Sequence, residues 1–187
     1  AEMGTPVTIV LPTLDERAHI TDCLDSLLAQ DYPAIAEILV VDGGSVDGTR
    51  DLVGARGAPV RLVPNPRVTA AAAMNVGLAE ATADVIVRAD AHTLYAPDFV
   101  TRCVEVLEAS GADVVGGPMR PVGTTAYGRA VAAVTSSPAG VGPGRFHYAR
   151  EAQDVDTVYL GTYRKEVVTA AGGYDEDDLQ WAAEDQE

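Results

Sequence analysis

Short apolar runs recur along the first two thirds of the chain, each stopped by a proline or an acid. Val7-Thr8-Ile9-Val10-Leu11 ends at Pro12, and Glu37-Ile38-Leu39-Val40-Val41-Asp42 ends on a carboxylate. Val60-Arg61-Leu62-Val63 is shut off by Pro64 and Pro66, and Asp84-Val85-Ile86-Val87-Arg88-Ala89-Asp90 again ends on an acid. Brief, β-branched, nearly continuous apolar runs are the pattern of strands covered on both faces. Between them the period changes from two to that of a helix. Ile20, Leu24, Leu27 and Leu28 share one face of the stretch from Glu16 to Gln30, with Asp15 placed as its N-cap and Tyr32-Pro33 as its end. The turn formers Gly43-Gly44-Ser45-Val46-Asp47-Gly48 predict a tight loop, after which Asp47 or Thr49 opens a helix.

Further helices are predicted over the alanine-rich Thr69 to Ala81 and from Pro97 to Ala109, followed by a strand at Ala112 to Val115. Strand and helix thus alternate through residues 1–115, which predicts an α/β sandwich around a mainly parallel sheet. Ligands of such sheets bind at the carboxyl ends of the strands. Pro12-Thr13-Leu14-Asp15, Asp42 and Asp90 all fall there. Residues 116–187 are less regular. Their pattern predicts a helix at Thr125 to Thr135, a strand at Asp156 to Leu160 and a short helix at Tyr163 to Ala171 stopped by Gly172-Gly173. There is no repeat or low-complexity linker, so residues 1–187 read as a single domain with a variable second half.

Composition adds an exclusion to this picture. With 13 Lys+Arg against 28 Asp+Glu the formal net charge is −15, and such a polyanion repels nucleic acid. A smaller phosphorylated ligand stays compatible where a divalent cation offsets the field. The 47% hydrophobic content is too high for intrinsic disorder. No apolar run reaches the roughly 18 residues of a membrane span. Cys23 and Cys103 stand alone and follow the helical apolar pattern, so both read as core thiols and neither as part of a zinc or disulfide framework. No signal peptide precedes the first strand, and a cytoplasmic address is expected.

Several residues carry candidate chemistry, each with an ordinary structural alternative. Asp42 is either an acceptor for a base or ribose hydrogen or a turn-starting Asp before Gly-Gly. Gly43-Gly44-Ser45 has neither the dinucleotide nor the Walker spacing. Asp90 and His92, two apart at a strand end, supply a carboxylate oxygen and an imidazole nitrogen, both competent toward Mn²⁺ or Mg²⁺; the alternative is a strand-terminal Asp and a surface His. Gly172-Gly173-Tyr174-Asp175-Glu176 and Glu184-Asp185-Gln186-Glu187, with Trp181 between them, are either a solvated acidic end or a carboxylate cluster beside a sugar-stacking ring. The Gly140 to Tyr148 segment is either a lid or a surface loop.

Taken together, Pro12-Thr13-Leu14-Asp15-Glu16, Val40 to Thr49, Asn75, Asp90-Ala91-His92, Gly172 to Glu176 and Glu184-Asp185 resemble, in order and separation, family 2 of the GT-A glycosyltransferases. Arg88-Ala89-Asp90-Ala91-His92 and the Gly140 to Phe146 loop look most like exopolysaccharide glucosyltransferases of the succinoglycan type. The resemblance implies a GT-A fold, a single Rossmann-like α/β/α sandwich, with a nucleotide-sugar-binding half at 1–115 and an acceptor and catalytic-base half at 116–187. It implies an inverting enzyme that moves a hexose from a UDP-sugar to a hydroxyl of a glycan or lipid-linked acceptor, with Mn²⁺ or Mg²⁺. Pro12, Thr13, Leu14 and Asp15 would line the base and ribose pocket, Asp42 would hold the uracil N–H, and Asp90 would face the ribose and metal.

His92 stands where the family's D-x-D motif usually has its metal-binding Asp, which shifts the expected preference toward Mn²⁺. Asp185, with Glu184 beside it, matches the catalytic base. Met74 stands where many members have an Arg before the residue matching Asn75, and Arg67 is the substitute candidate for a diphosphate contact. The chain end looks like the start of a helix. A longer protein, with acceptor-side structure and a membrane segment, is therefore expected, placing the enzyme at the inner membrane face. Two other readings remain: a sugar-nucleotide nucleotidyltransferase, although Pro12 to Asp15 is not its basic Gly-rich loop, and a non-catalytic sugar-nucleotide or glycan-binding module.

Overall fold

A computed structural model describes residues 4–122, 153–155 and 158–177. The helix expected at Thr125 to Thr135, the Gly140 to Tyr148 segment, Trp181, Glu184 and Asp185 lie outside the described residues. Among the described residues six strands form one sheet: β1 (Val7–Thr13), β2 (Ile35–Asp42), β3 (Val60–Pro64), β4 (Val85–Arg88), β5 (Val114–Gly117) and β6 (Tyr159–Arg164), in the order β3-β2-β1-β4-β6-β5. The helices among the described residues are α1 (Ile20–Leu28), α2 (Thr49–Gly54), α3 (Ala70–Glu80), α4 (Phe99–Ser110) and α5 (Lys165–Ala170). Pairing is parallel among β1 to β4 and antiparallel where β6 meets β4 and β5.

The alternation of side chains along each strand separates two cores. Val7, Ile9 and Leu11 of β1, with Ile38, Val40, Val85 and Val87, face α1 and α4 through Ile20, Leu24, Leu27, Val100, Val104 and Leu107. Val10, Leu39, Val41, Val63 and Ile86 face the other way, onto Ala73, Met74 and Leu78 of α3 and onto Tyr163. Cys23 and Cys103 are buried, as their helical spacing predicts. Helix α3 lies close on the sheet because Gly77 has no side chain; a Cβ there would come within 2.3 Å of Val10 Cγ1.

Three sequence expectations change. Helix α1 begins at Ile20, and Asp15 does not cap it: the cap position is His19, without a side-chain bond, while Asp15 has φ 53° and turns its carboxylate to another loop. The strand expected at Asp156 to Leu160 is instead Tyr159–Arg164, so α5 starts at Lys165 rather than Tyr163. Tyr163 is drawn into the strand by burial, at 2% exposure, in the second core. The last parallel-pattern strand also sits later than Ala112 to Val115, at Val114–Gly117. By contrast, Gly172 and Gly173 do stop α5, with φ of 99° and 85°.

The register places the site. Thr13 pairs with Asp42 and Asp42 with Pro64, so the carboxyl ends of β1, β2 and β3 form one row. From β1 the chain steps outward to β2 and β3, and β4 then returns to the other side of β1. The switch point of the sheet is thus the crevice between the loops after β1 and β4.

Candidate active site

The loop after β1 and the loop after β2 are joined side chain to backbone. Asp42, 3% exposed, accepts the Gly44 N–H (2.9 Å) and the Ser45 N–H (3.0 Å) on Oδ2, and the Ser45 hydroxyl on Oδ1. The Ser45 Oγ in turn accepts the Asp15 N–H at 2.8 Å, and Asp15 Oδ1 accepts the Val46 N–H at 2.8 Å. Asp47 Oδ2 accepts the Arg17 N–H, while its Oδ1 accepts from both the Thr49 backbone and hydroxyl at the start of α2. These bonds allow a non-glycine residue, Asp15, to hold a positive φ. Asp42 therefore fills the turn-starting role that its sequence allows. A carboxylate offers about four acceptor positions, so one remains, on Oδ1. Arg50 Nε lies 3.6 Å from Oδ2, outside hydrogen-bond reach.

Thr13 closes the end of β1: its hydroxyl bonds the Leu11 carbonyl, and its own carbonyl accepts the Gly43 N–H at 2.8 Å. Leu14, 45% exposed, and the Val68 backbone flank Gly43, where a Cβ would meet Val68 O at 3.2 Å and Leu14 Cδ1 at 3.4 Å. The loops after β1, β2 and β3 thus converge around a bare stretch of backbone beside Asp42. The sequence offers Ser45 only as part of the Gly43-Gly44-Ser45 turn; its bond to the Asp15 N–H, 30 positions away, leaves no mark on local spacing.

Asp90 follows β4 and is 7% exposed. Its carbonyl accepts the Cys23 thiol at 3.3 Å, and its N–H donates to Tyr95 Oη at 2.7 Å, so its backbone is fixed by two buried side chains. Burial, with the nearby Asp90 charge second, pushes the Cys23 thiol up to about 12. The Asp90 carboxylate has looser company: Arg88 Nη2 at 3.8 Å from Oδ1, and the Tyr159 hydroxyl at 3.4 Å from Oδ2. Tyr159 also bonds Thr93 at 3.1 Å. His92 Nδ1 lies 3.3 Å from Glu16 Oε1, across the switch point.

Asn75 and Arg67 meet a different segment. The Asn75 amide donates to the Tyr174 carbonyl (2.8 Å) and to Glu176 Oε1 (2.7 Å), and accepts the Tyr174 N–H (2.8 Å). Arg67 is paired with Glu176 Oε2. The Asn75 hydrogen bond, and then the Arg67 guanidinium, hold the Glu176 carboxyl below the usual glutamate range. Both residues therefore latch the segment after α5 onto α3 and the loop before it. Met74 is 1% exposed and belongs to the second core.

A divalent cation suits the donor set in part. The Asp90 carboxylate is paired only loosely with Arg88, at 3.8 Å among the described residues, and a carboxylate with an imidazole matches Mn²⁺. Among the described residues there is no group of three His, Cys, Asp or Glu side chains able to hold a metal. Asp90 and His92 would therefore share the ion with non-protein oxygens, such as those of a diphosphate.

Known proteins resemble this chain in sequence and in fold. A sequence profile of glycosyl transferase family 2 matches residues 8–164. The chain is 33% identical to the succinoglycan biosynthesis protein ExoA of Rhizobium meliloti (strain 1021), over 92% of this chain and 54% of that one. It spans about half the length of this relative, and likewise 54% of the dolichyl N-acetyl-α-D-glucosaminyl phosphate 3-β-D-2,3-diacetamido-2,3-dideoxy-β-D-glucuronosyltransferase of Methanococcus voltae, to which it is 27% identical over 87% of its own length. Among solved structures, the mannosyltransferase PcManGT of Pyrobaculum calidifontis, in complex with GDP-Man and Mn²⁺, superposes with a TM-score of 0.68 at 27% identity, covering 93% of this chain and 49% of that one. TarS of S. aureus with UDP gives 0.73 at 20% identity, covering 97% and 53%. The mainly parallel six-stranded sheet between helices is the GT-A fold, and the chain belongs to glycosyl transferase family 2.

Proposed function

We propose that this chain binds a UDP-sugar and, with Mn²⁺ or Mg²⁺, transfers its hexose with inversion to a hydroxyl of a glycan or lipid-linked acceptor. The observation that carries the reading is the placement of Asp42 and of the Asp90–His92 pair at one edge of the sheet, on the two sides of its switch point. PcManGT, at 27% the higher of the two in sequence identity, was captured with GDP-Man and Mn²⁺, which supports a nucleotide-sugar donor with a divalent cation.

The choice of uracil rests on counting acceptors. With three donors already on the Asp42 carboxylate, its one remaining position suits the single imide N–H of uracil. Guanine presents an adjacent N1–H and amino pair and asks for two. Pro12 and Thr13 hold the backbone beside the base, Leu14 offers an apolar flank, and Asp15 ties this wall to the loop after β2. Arg67 reaches a diphosphate only by leaving Glu176.

Glycosyl transfer passes through an oxocarbenium-like transition state, with negative charge gathering on the departing diphosphate. A bound divalent cation supplies neutralisation of that charge. Asp90 and His92 would hold that cation through a carboxylate oxygen and an imidazole nitrogen. The acceptor hydroxyl gives its proton to the Asp185 carboxylate, with Glu184 beside it; such a positioned base contributes about 10²–10⁴-fold. Both residues lie outside the described residues and are assigned by their match to the family's pattern. The succinoglycan relative supports an exopolysaccharide acceptor.

The test is release of UDP from a panel of UDP-sugars with Mn²⁺ and glycan or lipid-linked acceptors. Turnover that falls about 10²-fold or more in Asp185→Asn is expected. Pyrophosphate release from UTP and a sugar phosphate would instead establish a nucleotidyltransferase. Binding of UDP with turnover untouched by Asp185→Asn would overturn the role of the base.

A further inference from the structure

Arg88 breaks the pattern of its strand. Side chains alternate along β4, so Arg88 shares a face with Ile86, which packs in the second core with Val10, Met74 and Tyr163. The other residues of β4 are Val and Ile. Arg88 is the last of them and pairs with Val10, so the strand puts a guanidinium where the core ends and the ligand edge begins. Its side chain is 32% exposed, and Nε is buried without a hydrogen-bond partner among the described residues. The Asp90 carboxylate oxygen, 3.8 Å from Nη2, is outside hydrogen-bond reach. A buried N–H without an acceptor costs stability and calls for a partner from outside the fold.

The chemistry of that partner follows from the donor set. A guanidinium offers paired N–H groups in a planar fork that matches the oxygens of a phosphate. The other arginines of this edge are committed elsewhere. Arg67 is paired with Glu176, Arg17 bonds the Asp47 carbonyl at 3.2 Å, and Arg50 stands beside Asp42. Arg88 stands beside Asp90, on the side proposed for the diphosphate. Asp90 and a diphosphate together carry more negative charge than one divalent cation offsets, and departure of the sugar adds to the excess. A fixed positive charge at this place opposes that excess without a hydrogen bond that would tie up the Asp90 oxygens.

We infer that Arg88 is a direct contact of the donor diphosphate, its guanidinium donating to phosphate oxygens; the inference rests on the donor-site reading above. The experiment measures binding of UDP by calorimetry and of uridine by ligand-observed NMR, to the parent and to Arg88→Met, each with Mn²⁺ and with EDTA. Methionine keeps an apolar stem and removes the donors. Arg88→Met is expected to weaken UDP about tenfold or more, as loss of hydrogen bonds to a charged group does, and to leave uridine unchanged, in EDTA as well as in Mn²⁺. A second measurement uses the parent labelled with ¹⁵N-arginine. The buried Arg88 Nε–H, identified as the resonance missing from Arg88→Lys, is expected to shift with UDP and to stay in place with uridine.

UDP affinity unchanged in Arg88→Met overturns the inference and leaves the donor reading standing. So does a loss confined to Mn²⁺, which would mean that Arg88 acts only through Asp90 and the cation. An equal loss for uridine overturns it too, as the mark of a residue that merely supports the fold of the site. An Nε–H resonance unmoved by UDP overturns it even where Arg88→Met does not fold. If UDP does not bind the parent, the donor reading falls and the inference with it.

Discussion

At the scale of single residues, the site is made by side chains that do two jobs. Asp42 could be read from the sequence as either a turn former or a ligand, and its carboxylate is already engaged by Gly44 and Ser45. A ligand role is therefore confined to the acceptor position that remains. On the proposed reading Ser45 would then control base choice, through its two bonds to Asp42 three positions earlier. Ser45→Ala frees a second position on Asp42 Oδ1, so the preference for UDP over GDP should narrow by about fivefold, the worth of one hydrogen bond of about 1 kcal/mol. Calorimetric titration of both nucleotides with Mn²⁺ checks this. An unchanged ratio would mean that Asp42 does not read the base.

At the scale of elements, strands and helices followed from period and punctuation wherever both faces of a run meet apolar neighbours. β1, β2 and β4 were legible because their β-branched runs are sandwiched between two cores. β6 was legible only at its start, Tyr159 and Leu160, because the rest mixes Gly161, Thr162 and Arg164 with Tyr163, and antiparallel pairing with β4 and β5 carries the strand on to Arg164. Asp15 misled for a related reason: its partner is the Val46 N–H, 31 positions away, and a long-range bond leaves no mark on local spacing.

Two element-level predictions follow from packing and charge. Gly77→Ala forces a methyl to 2.3 Å from Val10 Cγ1 under α3 and should cost about 1–3 kcal/mol in denaturant unfolding, with Val10→Ala relieving part of the loss. The latch of Glu176 on Asn75 and Arg67 concerns acid stability. Because its folded-state carboxyl titrates below the ordinary value of 4.5, its contribution is present above that value and is lost as pH falls through the lowered one. Unfolding free energy should therefore drop on acidification from about pH 7 to about pH 3, and less steeply in Glu176→Gln, which keeps an acceptor for Asn75 but does not titrate. Equal slopes would show that the latch contributes nothing in solution.

At the scale of the whole molecule, a net charge of −15 and a proposed diphosphate ligand fit together only through the place where the charge is offset. The sequence allowed the carboxyl edge of the sheet to be named as the ligand side, since strand runs end on Asp42 and Asp90. It did not reveal that Glu16, Ser45, Asn75 and Arg67 would be spent on contacts between loops, because those contacts span 30 to 109 positions and exist only once the sheet is assembled.

The most direct test of the account is calorimetric titration of UDP into the parent and into Asp90→Ala, each with Mn²⁺ and with EDTA. The account predicts that EDTA weakens UDP binding to the parent by about tenfold or more, a difference of about 1.4 kcal/mol, and that Asp90→Ala with Mn²⁺ binds no better than the parent without it. Binding of UDP with Mn²⁺ to Asp90→Ala at the parent's affinity would contradict it.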